Sequence, residues 1–102
     1  MSARDKLRAI TAIRDAIKAI DRERREPDPW EKYQLTLALG SALQGHWGYA
    51  TARAEQTLTP PAERVLFEGE PEFEHLDLVA LRTLLAQAEL TPVRDNPDDE
   101  HE

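Results

Sequence analysis

Apolar residues recur at helical spacing from the start of the chain. Ile10, Ile13, Ile17 and Ile20 follow 3-4-3 steps, Leu7 extends that face, and Ala9, Ala12, Ala16 and Ala19 flank it. Ser2 is placed to cap the start, and Pro27 cannot continue a helix. The pattern predicts a helix over 3–25. Its isoleucine seam spans two heptads, too short for a free-standing coiled coil but suited to packing in a bundle.

The strongest local signal follows at once. Asp28 can cap, Pro29 suits a first helical position, and Glu31 stands three residues after the cap, as a capping box requires. Leu35, Leu39, Leu43, His46 and Ala50 then share one face, with Tyr33, Gly40, Trp47, Ala54 and Leu58 beside it. So wide an apolar surface predicts a central bundle helix over 29–57. Gly40, Gly45 and Gly48 each cost roughly 1 kcal/mol relative to Ala in a helix. They mark either close approach of neighbours or a bend or break around Gly45–Gly48; a continuous helix with a weak point there is the expectation.

Thr59-Pro60-Pro61 ends that element. A single turn is expected over 62–67, capped by Thr59, with Val65, Leu66 and Phe67 tucked under the core. Glu68-Gly69-Glu70-Pro71 reads as a turn. A last helix is expected over 72–90, burying Phe73, Leu76, Val79, Ala80, Leu84 and Ala88, with Leu78, Leu81 and Leu85 widening its apolar face. Residues 91–102 are acidic with little that is apolar, and read as a disordered tail. The fold class is all-α: a small three-helix bundle, or a helical hairpin plus a third helix, with over-wide faces that dimerisation could complete.

Composition narrows the class. Leu, Ile, Val and Phe make up about 22% of the 102 residues, just above the roughly 20% below which chains tend to disorder. The core is therefore thin, and a partner would add to its stability. With no cysteine, disulfides and thiolate metal sites are excluded. Residues 33–52 carry no charge, but Gln34, Thr36, Ser41, Gln44 and His46 interrupt the run, so it reads as a buried helix rather than a membrane span. The charged N-terminus lacks the apolar stretch of a secretory signal. A cytoplasmic location is the expectation. Ten Arg to three Lys, with abundant Ala, matches GC-rich bacterial coding.

Net charge is −7 but unevenly spread: residues 1–25 carry eight bases and four acids, and residues 26–102 carry five bases and sixteen acids. A dominant basic field is missing, which argues against nonspecific nucleic-acid binding. The basic helix face (Arg4, Lys6, Arg8, Arg14, Lys18) is expected to pair internally with the acidic run Glu68, Glu70, Glu72, Glu74 and Asp77 rather than touch nucleic acid.

Chemistry has little support. Ser2 and Ser41 are the only serines, and no nucleophile–base–acid arrangement stands out. The glycines from Gly40 to Gly48 lack the following Lys of a phosphate loop. Glu72-x-x-His75 has the spacing of a di-iron helix motif, but no second copy or further inward carboxylates accompany it. No enzyme activity, cofactor or metal is expected.

Binding surfaces are the remaining candidates. Glu68, Glu70, Glu72, Glu74 and Asp77 form an acidic run suited to a basic protein surface. Trp30, beside charged residues at a helix start, is the expected exposed aromatic of that contact. The leading expectation is a small acidic protein acting by protein–protein binding, as an inhibitor, immunity protein, antitoxin-like partner, chaperone or adaptor. The alternative is a homodimeric bundle holding a small ligand near His46, Trp47 and Tyr49.

Overall fold

The computed structural model describes residues 3–64 and 77–93. These form an all-α bundle: α1 (Ala3–Arg22), α2 (Pro29–Leu43), α3 (Trp47–Thr57), a short 3-10 turn (Pro61–Glu63) and α4 (Leu78–Glu89). α1 and α2 pack against each other, and each packs against both α3 and α4. Among the described residues, α3 and α4 share no contact.

α1 follows the isoleucine seam. Ile10, Ile13, Ile17 and Ile20 are buried together with Ala9 and Ala16; fully burying one such Ile contributes roughly 1.5–3 kcal/mol. Leu7 departs from the expected face and is 65% exposed, while Lys6 beside it reaches the end of α4. The helix also stops earlier than residue 25. Glu23 N–H and Arg24 N–H close the last turn on the carbonyls of Ile20 and Asp21. Arg24 then reverses the chain with φ of 55°.

The expected long helix over 29–57 is two helices. α2 starts on the predicted capping box: Glu31 N–H donates to Asp28 Oδ1 at 2.9 Å, and Asp28 N–H donates to Glu31 Oε1 at 2.9 Å. It ends in a Schellman motif, with His46 N–H on Ser41 O at 2.8 Å and Gly45 N–H on Ala42 O at 3.0 Å. Gly45 takes φ of +82°, a conformation that costs other residues roughly 1–2 kcal/mol. Of the two readings of the glycines, the break around Gly45–Gly48 is the one that occurs; neighbours do not approach closely at Gly40 or Gly48, since a Cβ at either would meet nothing within 4 Å.

α2 and α3 both turn small residues inward. Ala38, Ala42, Ala50 and Ala54 are fully buried alongside Ala9, Ala16, Leu35, Leu39 and Trp47. Alanine lets helix axes approach closely, and Trp47 at the first turn of α3 is fully buried, with Lys6 Nζ of α1 5.8 Å from its ring centroid. Pro60, not Thr59, occupies the cap position of the 3-10 turn, without a side-chain bond.

α4 begins at Leu78 rather than near 72, because Asp77 is extended and its side chain accepts from Ala80 N–H at 2.9 Å. Its buried face is Leu78, Leu81, Leu85 and Ala88. The expected face was one step round: Val79 is 69% exposed, and Leu84 only packs partly against the core. The N-terminus is fixed from outside the helix, where Glu26 Oε1 accepts from Leu78 N–H at 2.8 Å. The expectations for Ser2, Val65–Phe67, the turn at 68–71, Phe73, Leu76, Glu72 with His75, and residues 94–102 lie outside the described residues.

Candidate functional site

A cleft of about 550 Å³ opens between the α1–α2 turn and the stretch after α3, with Glu23, Arg25, Asp28, Glu31, Leu58 and Arg64 among its walls. The capping box is its foundation. Glu31 is 5% exposed, and so buried a carboxylate needs partners. It receives them from Arg25, whose Nη1 and Nη2 donate to Oε1 at 2.6 Å and Oε2 at 2.8 Å. This is the two-pronged geometry that suits guanidinium to carboxylate. Arg25 also pairs with Glu23 and donates to Glu26 O at 3.2 Å.

Asp28 is the second centre. Its Oδ1 accepts from Glu31 N–H, and its Oδ2 accepts from Arg64 Nη1 at 2.8 Å. Burial pushes its carboxyl upward, but the hydrogen bond from Glu31 N–H and the Arg64 guanidinium outweigh it and leave the group below its ordinary value. Arg64 Nε further donates to Thr59 O at 2.9 Å. The whole set therefore clamps α2's start to the end of α1 and to the stretch after α3. Each of Glu31, Asp28, Arg25 and Arg64 is matched by an opposite charge within the network.

Trp30 is not the exposed aromatic expected of it. It is 8% exposed, its Nε1–H donates to Gln56 O at 2.9 Å, and the Arg64 guanidinium lies 5.7 Å from the ring centroid. Charged neighbours in sequence gave the impression of exposure, whereas in space Arg64 stacks over the ring and the indole ties α2 to the end of α3.

The other singled-out residues are dispersed. Trp47 is fully buried, while His46 and Tyr49 in the same turn are exposed. Tyr49 instead engages Arg53, whose Nε donates to its hydroxyl at 2.9 Å and whose guanidinium lies 5.0 Å from its ring centroid. Asp77 is exposed but its carboxylate caps α4; Glu68, Glu70, Glu72 and Glu74 lie outside the described residues. The Arg25–Glu31–Asp28–Arg64 network is the feature sequence reading missed. Its box was visible, but Arg64 stands 36 positions from Asp28, beyond any local signal.

Among the described residues, no group of three or more His, Asp or Glu could hold a metal ion, and no helix is long and apolar enough to cross a membrane. Charge is strongly partitioned. The described residues carry twelve bases and eleven acids, residues 65–76 carry four acids and no base, and residues 94–102 carry five acids and one base. No known protein family, curated protein or solved structure matches the chain.

Proposed function

We propose that this protein acts without catalysis, by binding a partner protein with a basic surface through the acids Glu68, Glu70, Glu72 and Glu74. The observation that carries the reading is the charge partition: the bundle is close to neutral, and the chain's net −7 comes from two short segments on either side of α4. A charge excess spread for solubility would dot the whole surface; one gathered beside a single helix steers encounter with an oppositely charged face. Asp77 leaves the proposed contact set, since its carboxylate is used by α4, and so does the buried Trp30. The matched charges of the cleft support a structural role there. Cytoplasmic inhibitors, antitoxin-like partners, chaperones and adaptors are the classes this reading covers, whether the chain works singly or as a homodimer.

The test compares the native chain with E68Q/E70Q/E72Q/E74Q as baits in lysate at low and high salt, with quantitative mass spectrometry. The expected result is one stoichiometric basic protein retained by the native bait alone and released by salt. Equal retention of the same proteins by both baits overturns the proposal.

A further inference from the structure

Most cations of the bundle are used internally. Arg14 pairs with Glu89, Arg82 with Asp21, Arg25 with Glu31, and Arg64 with Asp28; Lys6 binds carbonyls at the end of α4, and Arg53 binds Tyr49 and Gln34. Arg4, Arg8, Lys18 and Arg22 are the exceptions on α1: among the described residues they have no hydrogen-bond or ion-pair partner. They share one stripe with Thr11 and Asp15, at successive steps of three or four, and all six are exposed. At 100° per residue, that stripe lies about 100° around α1 from the face packed on α4. Arg14 thus pairs with Glu89, outside the acidic run Glu68–Asp77 expected to receive the basic face, and a cationic row is left unused among the described residues.

We propose that the acidic segment 95–102 of the same chain docks along this row. Three observations select it over an external polyanion. The segment carries Asp95, Asp98, Asp99, Glu100 and Glu102, opposite in sign to the row. It departs from the described structure at Val93, just beyond Thr91, whose carbonyl accepts from Lys6 Nζ at 2.6 Å; Arg4 and Arg8 stand at the level of Lys6 along α1, about 160° around the helix from it. Nine residues reach at most roughly 30 Å, enough to round a helix about 10 Å across and meet the Arg4–Arg8 end of the row. Tethered so close, the segment faces the row at an effective concentration near the millimolar range, which a free acidic ligand would have to outcompete. Docking masks this basic row. The inference is independent of the Glu68–Glu74 contact.

Because the chain has no cysteine, a nitroxide on Thr11→Cys reports from the middle of the row. The expected result in isotope-labelled full-length protein at low salt is loss of most amide signal intensity over 95–102. That loss should be unchanged on dilution. It should vanish both in R4E/R8E and at about 0.5 M NaCl, where the screening length falls to about 4 Å. Circular dichroism confirms that the charge-reversed variant stays folded. Absence of broadening at low salt, broadening that survives charge reversal, or broadening seen only between mixed spin-labelled and isotope-labelled copies each overturns the proposal.

Discussion

The buried carboxylate of Glu31 offers the sharpest test of the cleft. Replacing Arg25 with Ala leaves that carboxylate with only the Asp28 N–H as partner. A fully buried charge stripped of its partner costs about 3–5 kcal/mol, whereas an exposed pair contributes at most about 1. Here Glu31 is 6% exposed at its side chain and Arg25 is 39% exposed, so the pair lies between these limits and R25A should lose about 2–3 kcal/mol, discounted for solvent screening at the guanidinium. Arg25 also contacts Glu23 and the Glu26 carbonyl, and a double-mutant cycle removes those contributions. E31Q is the right second variant, since Gln still serves a capping box while the charge is lost. The coupling between R25A and E31Q should be about 2 kcal/mol by urea unfolding at neutral pH, and should persist at about 1 M salt, because a buried pair is weakly screened. A coupling below about 0.5 kcal/mol would show that water reaches the carboxylate and that the clamp is an ordinary surface pair.

Three further outcomes follow from the geometry. Arg24 has φ of 55°, so R24G should raise stability by about 0.5–1 kcal/mol in the same urea titration; R24A should give no such gain. Asp28 is held below its ordinary value, so its contribution is present above the unfolded pKa and is lost as pH falls below about 4, through the folded value. D28N, which keeps a capping side chain, should lack this component: native and variant stabilities should converge on acidification, and a constant gap from neutral pH to strong acid contradicts the assignment. Trp47 and Trp30 are 0% and 8% exposed, so acrylamide should quench native fluorescence weakly and urea-unfolded fluorescence strongly. Strong native quenching would return Trp30 to the surface.

Local chemistry was the legible part. The isoleucine ladder of α1 and the Asp28–Glu31 box each require only neighbours within a turn or two, and both stand where the sequence puts them. The 29–57 segment misled because α2 and α3 both bury apolar stripes, and pooling the two made one unusually broad face. Gly45 was recognised as a weak point, but only a backbone that leaves the helical φ region distinguishes a helix end from a costly interior glycine. α4 shows the converse difficulty. With Leu78, Val79, Leu81, Leu84 and Leu85 all apolar, composition could not select the inward face; a hydrogen bond from Leu78 N–H to Glu26, 52 positions away, bears on it. Trp30 failed for the same reason, since Arg64 and Gln56, which cover and anchor it, are remote in sequence.

The ties at the two ends of α4 bear on the order in which the molecule assembles. Lys6, in the second turn of α1, finds its acceptors at Glu89 and Thr91, 83 and 85 residues later. Closing a loop of that length carries its entropy cost before any contact rewards it. During synthesis α1, α2 and α3 can meet as soon as residue 57 has emerged, whereas one flank of α1 must wait for the last helix described. Until then the flank of α1 that α4 covers stands open at the ribosome, an interval in which the emerging chain is most open to chaperones and to association with its own copies.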